Sequence, residues 1–189
     1  MKSFGVLPED YGEIYSVNLQ EDKKIALIVN GIAIVIAVIM AVGMGVFVPI
    51  TDLYSSDNTL LKLVVLALGY VAYIILHEAV HGIAMKICGT KKVKYGFTGL
   101  YAFAGSDDYY NKKAYIFIAL APVVLWGAVL LIANLLVPAD WIWVVYFIQI
   151  GNISGAAGDY FVTLKFLKFP EDILVRDYGT SMTVYSRNI

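Results

Sequence analysis

Long apolar blocks and short polar joints alternate along this chain. Spanning a bilayer takes about 20 mostly apolar residues, and four blocks reach that length, at about 25–48, 60–87, 114–137 and 141–164. Each is too long and too apolar for a soluble core helix, so each predicts a membrane-spanning helix. The pattern changes across 90–105. Val93-Lys94-Tyr95-Gly96-Phe97 alternates apolar and non-apolar positions, Leu100-Tyr101-Ala102-Phe103-Ala104 is β-prone, and Thr98-Gly99 lies between them. That arrangement predicts a short β-hairpin between the second and third spans. The tail, 165–189, is polar with a few β-prone residues and is expected to lie extended beneath the membrane domain. The fold expected from the pattern is an α-helical integral membrane protein. It has four transmembrane helices and one short cytoplasmic hairpin, all in a single domain over 1–189.

Composition strengthens the membrane reading. Apolar residues make up 60% of the 189 and charged residues 15%, against roughly 45–50% and about 25% in typical soluble domains. No stretch is basic enough for nucleic-acid binding, and the net charge of −1 does not point to a partner. The first 22 residues are polar and acidic, without the apolar core of a secretory signal, so the first span is expected to stay as an anchor. Cys88 is the one cysteine and reads as a packing residue.

Loop charge sets an orientation. Lys23 and Lys24 precede the first span, and Lys86, Lys91, Lys92, Lys94, Lys112 and Lys113 lie around the joint between the second and third. Lys165, Lys168 and Arg176 follow the fourth. The other two joints carry Asp52, Asp57 and Asp140. Positive residues collect on the cytoplasmic side, so both termini are expected there, in a multi-pass protein of the cell membrane. Trp141 and Trp143 suit an outer aromatic belt.

The only two histidines stand in His77-Glu78-Ala79-Val80-His81, inside the second apolar block. On a helix, positions four apart share one face, and two imidazoles so placed can fill two corners of a zinc tetrahedron. Glu78 projects beside the metal, where it can take a proton from a zinc-bound water and pass it to a leaving amine. Polar residues are costly in hydrocarbon, and a random apolar helix would not carry three together. A helix–helix hydrogen-bonding role is the alternative.

A catalytic zinc usually has three protein ligands and one open position. With no third histidine, the third ligand is a carboxylate or Cys88. Asp159 is the leading candidate, as the only acidic residue within the third and fourth spans. His81 lies five residues before Lys86, and Asp159 six before Lys165. At 1.5 Å per residue that puts them about 7.5 and 9 Å from the cytoplasmic ends of their helices, at similar heights. Asp107, Asp108 and Glu171 are weaker candidates, since they lie in polar segments. Asn152, about two turns before Asp159, can bind a substrate backbone or polarise a carbonyl, or equally make an interhelical hydrogen bond. Ala121-Pro122 predicts a kink or a close packing point in the third span.

These residues resemble the site-2 protease family of intramembrane metalloproteases. His77-Glu78-Ala79-Val80-His81-Gly82 looks like its metal helix, Asn152 with Gly158-Asp159 like its later Asp ligand motif, and Ala119-Leu120-Ala121-Pro122 like its Gly-Pro motif. A closer resemblance, over about 7–185, is to a compact bacterial group described as "putative zincin peptidases", which pair a His-Glu-x-x-His-Gly helix with a late Gly-Asp. Asp159 is followed by Tyr160 rather than Gly, a departure from the site-2 pattern. The resemblance implies a zinc site more firmly than a substrate.

The expectation is therefore a zinc-dependent intramembrane endopeptidase with His77, His81 and Asp159 on the metal and Glu78 as general base and acid. It would cut a membrane protein or leftover membrane peptide near the cytoplasmic face, with the hairpin aligning the substrate as an added strand. A zinc hydrolase acting on a lipid amide, or a membrane binding protein with a structural metal, are the other readings.

Overall fold

A computed structural model of the chain describes residues 2–18, 20–54, 58–99 and 101–187. Their order is β1 (Ser3–Phe4), β2 (Tyr11–Asn18), α1 (Lys23–Gly45), α2 (Thr59–Ile87), β3 (Lys94–Phe97), β4 (Ala102–Gly105), β5 (Tyr109–Asn111), α3 (Lys112–Leu136), α4 (Ile142–Gly155), α5 (Ala157–Phe166), β6 (Leu174–Asp177) and β7 (Ser181–Arg187). Single 3₁₀ turns, Ile50–Leu53 and Ala139–Trp141, precede α2 and α4. At 1.5 Å per residue, α1, α2 and α3 are roughly 34, 43 and 37 Å long, against a hydrocarbon thickness of about 30 Å. These three helices are long and apolar enough to cross a membrane.

Two features correct the expected all-helical architecture. First, the protein is a mixed α/β fold. A five-stranded antiparallel sheet, ordered β1-β5-β6-β7-β2, joins both ends of the chain. The pattern concealed it for a physical reason. Strand β2 has exposed residues at three of its eight positions, Glu13, Ile14 and Ser16, and its register shifts between Glu13 and Tyr15, which breaks the period-2 signal. A sheet with one face toward water also carries few apolar residues per strand. Second, the expected fourth span is two helices. The helix breaks at Ala156, where ψ is 13°, leaving segments of 14 and 10 residues, too short to cross individually. Gly155 and Gly158 flank the break, and each lowers local helix propensity by about 1 kcal/mol relative to Ala.

The chain divides into two compact units. One comprises residues up to Ile28, Glu78–Pro122 and those from Asp159 onward. The other comprises Val29–His77 and Val123–Gly158. The first holds the sheet. Val175, Met182 and Val184 recur at strand period on one face and pack with Val17 and Tyr110 against Ala84, Met85 and Cys88, the α3 residues Ala114, Tyr115 and Ile118, and Phe166 of α5. Burying each large apolar side chain here is worth about 1.5–3 kcal/mol. Cys88 is a buried member of this core, as its packing role requires.

The hairpin expected over 90–105 is present as β3–β4, with register Lys94↔Gly105 through Phe97↔Ala102. It is braced by the β6–β7 turn. The Ser106 N–H donates to the Asp177 carbonyl at 2.8 Å, and Gly105 lies against the Tyr178–Gly179 backbone. Gly179 has φ of +100°, a conformation glycine adopts without strain, and its bare Cα accepts the Phe103 ring.

In the second unit, Lys62 is fully buried. It donates to the Asp52 carbonyl and pairs with Asp140, both at 3.1 Å, so it ties together the joints that precede α2 and α4. Trp143 is also buried, and its indole N–H reaches the carbonyls of Val48 and Pro49. It packs inside the unit rather than standing in an outer belt.

Candidate metal centre

Helix α2 is continuous from Thr59 to Ile87, so His77 and His81 sit one turn apart on one face. Asp159 stands in the first turn of α5. The break at Ala156 therefore places this carboxylate at a helix amino end, where the backbone dipole favours negative charge. One ligand atom from each of His77, His81 and Asp159 lies within 4.8 Å of the other two, and no other group of three or more such ligands occurs among the described residues. The His81 Nε2 to Asp159 Oδ1 distance is 3.7 Å. Ligand atoms about 2.0–2.1 Å from a tetrahedral zinc lie roughly 3.4 Å from one another, close to the His81–Asp159 separation, and two imidazoles with a carboxylate are a donor set that suits zinc.

The tautomer of His81 follows from Pro122. A proline inside a helix lacks the N–H that would bond the carbonyl four residues earlier, which here is that of Ile118 in α3. That carbonyl lies 2.9 Å from His81 Nδ1. A carbonyl only accepts, so Nδ1 carries the proton and Nε2 carries the lone pair. This is the arrangement seen in metal-ligating histidines, whose second nitrogen is held by an outer partner. The Ala121-Pro122 position singled out in the sequence thus acts on the site through the carbonyl it leaves unbonded within α3.

Glu78 accepts a hydrogen bond from the Ala104 N–H of β4, so the hairpin holds the carboxylate beside the histidine face. Gly82, next after His81, lets the hairpin approach, because the Tyr95 hydroxyl lies where a side chain at this position would be. Sequence reasoning missed Asp177 at the end of β6. It accepts from the Tyr115 hydroxyl at 2.6 Å and the Gly179 N–H at 2.7 Å. Burial pushes its carboxyl up to about 6 despite these bonds, and it interacts electrostatically with His81 and Asp159. Its signal lay in a tail whose pairing was not legible.

The remaining candidates are engaged elsewhere. Asp107 pairs with Lys94 at 2.6 Å and Arg176 at 3.4 Å, and Glu171 with Lys112 at 2.8 Å. Asp108 is not among the convergent ligands, and its backbone N–H donates to the hydroxyl of Ser106, two residues earlier. Asn152 is fully buried. Its Nδ2 donates to the Val123 carbonyl at 3.2 Å, and its Oδ1 accepts from the Tyr73 hydroxyl at 3.2 Å. The same hydroxyl lies 2.9 Å from His77 Nδ1.

Among known proteins, an uncharacterized 24.7 kDa protein of Pyrococcus woesei is 31% identical over 138 residues. The match covers 68% of this chain and 57% of that relative, so the chain spans little more than half the length of the relative it resembles. No solved structure matches the chain. The family described as "Putative zincin peptidase" matches residues 70–174, a stretch that contains His77, Glu78, His81, Asn152 and Asp159. With more than half its length in that match, the chain belongs to this family.

Proposed function

We propose that the protein is a zinc-dependent endopeptidase of the cell membrane that hydrolyses peptide bonds of membrane-associated substrates near the cytoplasmic face. The observation that carries this reading is the convergence of His77, His81 and Asp159 with Glu78 adjacent on the same helix. Bound by these three groups, zinc would supply a Lewis acid and lower the pKa of a coordinated water toward about 7. Glu78 takes the proton from the attacking water and delivers it to the leaving amine. The Ala104 N–H keeps its carboxylate in place for both transfers.

The hairpin supports a peptide substrate. Thr98 and Tyr101 form a hydrogen-bonded pair at the turn, so the alternation of an antiparallel ladder turns the N–H and C=O groups of Ala102 and Ala104 away from β3. That edge of β4 is the one whose Ala104 N–H meets Glu78. An extended segment meeting this edge at Ala102, short of the Ala104 N–H that Glu78 occupies, would bring its carbonyls toward Glu78, with its backbone opened to attack as it is not in a helix.

Bound metal and cleavage should rise and fall together. Purified protein is expected to hold one zinc per chain, to lose cleavage of a membrane-peptide substrate on chelation, and to regain it when zinc is restored. Cleavage that survives complete zinc removal would end the reading.

Lysine placement supports the orientation. Lys86, Lys113 and Lys165 stand at the helix ends next to the sheet, whereas Lys62, toward the other end of α2, is neutralised by Asp140. In a Cys88→Ala background, an impermeant thiol reagent applied to intact cells is expected to label Thr51→Cys. Lys92→Cys should react only after permeabilisation. The reverse pattern would refute cytoplasmic termini.

A further inference from the structure

The hydrogen bonds around Asn152 assign it a role other than contact with substrate. We infer that Tyr73 and Asn152 are positioning residues that fix the tautomer and ring plane of His77. The inference rests on the zinc reading above.

The direction of each bond follows from one backbone group. The Val123 carbonyl can only accept, so the atom of Asn152 that faces it is the amide nitrogen. The Asn152 oxygen therefore faces Tyr73. An amide oxygen also only accepts, so the single Tyr73 hydroxyl proton is directed to Asn152. The hydroxyl then meets His77 Nδ1 with a lone pair, and Nδ1 must carry a proton to make that bond. Nε2 is left as the ligating nitrogen of His77.

The chain from Val123 through Asn152 and Tyr73 to His77 thus does in three hydrogen bonds what Ile118 does for His81 in one. Both chains end on carbonyls of α3. The groups are enclosed: Asn152 is 0% exposed, Tyr73 8% and His77 9%. In a site of low dielectric such bonds are strong, and an unpaired amide is costly. The Tyr73 ring is held edge-on by Trp126 and by His77 itself.

The test measures metal affinity rather than turnover. Wild type, Tyr73→Phe, Asn152→Leu and the double variant are titrated with zinc against a chelator, and the cobalt-substituted proteins are compared by their visible ligand-field spectra. Tyr73→Phe keeps the ring and removes only the hydroxyl, so it tests the bond without opening a cavity. Outer partners of metal-bound histidines typically contribute 10–100-fold in affinity. Zinc affinity is expected to fall by about that factor in each single variant. The cobalt spectrum should change, and the double variant should be no weaker than the worse single one, because either substitution interrupts the same chain.

Zinc affinity within twofold of wild type for Tyr73→Phe would overturn the inference while leaving the metal site in place. The same would follow if Asn152→Leu bound zinc normally and lost only cleavage, as a substrate contact predicts. Wild-type protein that binds no zinc would overturn the metalloprotease reading, and the inference with it.

Discussion

Glu78→Gln is expected to lower peptide cleavage by about 10²–10⁴-fold, the range that general acid–base groups contribute, while one zinc stays bound. The prediction separates chemistry from assembly. Glutamine matches glutamate in shape, and its Oε1 can still accept the Ala104 N–H that holds the side chain in place. The hairpin contact therefore survives, and folding should be little affected. What is lost is the capacity to take a proton from the attacking water and return it to the departing amine. Glu78 is not one of the three convergent ligands, so metal content measured on the same sample should match wild type. A variant that cleaves undiminished would remove Glu78 from the mechanism. A variant that loses both zinc and cleavage would make Glu78 a ligand instead.

Asp159→Ala is expected to weaken zinc binding by at least about a hundredfold. Apparent zinc-binding energies of protein sites are about 10–16 kcal/mol, shared among the ligands, so losing one of three carries a cost of several kcal/mol. Folding should change little. A carboxylate at a half-buried helix amino end contributes at most about 2 kcal/mol, and the core beneath is formed by Ala84, Met85, Tyr115, Phe166 and the strands. Asp107→Ala is the control, because Asp107 is paired with Lys94 and Arg176. Metal content after dialysis should fall in the first variant and stay at the wild-type level in the second. Equal zinc in both would place the third ligand elsewhere.

The helices and the metal motif were legible locally. Spans at 25–48, 60–87 and 114–137 correspond to α1, α2 and α3 within three residues at each end, because a long apolar run carries its own signal wherever it packs. His77, Glu78 and His81 were legible because the helical repeat alone puts positions four apart on one face. Asp159 was reached by elimination, since few carboxylates lie within apolar blocks. The hairpin was marked by Thr98-Gly99 and its flanking β-prone runs.

Other features depended on contacts between distant residues. Strand β2 pairs with β7 at the opposite end of the chain, and no local pattern in either strand records the partner. The interruption at Ala156 was hidden in a block that reads as continuously apolar, yet it sets Asp159 at a helix start. An interhelical hydrogen bond was one of two readings open for Asn152, but its partners, and the roles of Pro122 and Tyr73, were beyond reach for the same reason. Each acts through a hydrogen bond to another helix, and hydrogen-bond direction is decided by which atoms face each other. The sequence by itself determined three long apolar helices, the histidine pair with its glutamate, and the chemistry of the metal they would take. The tertiary structure brought Asp159 to the histidines, and it alone decided which ring nitrogens carry the lone pairs and which strand edge lies beside Glu78. Composition and periodicity act along one chain segment, whereas a metal centre is assembled from groups that folding alone brings within a few ångströms.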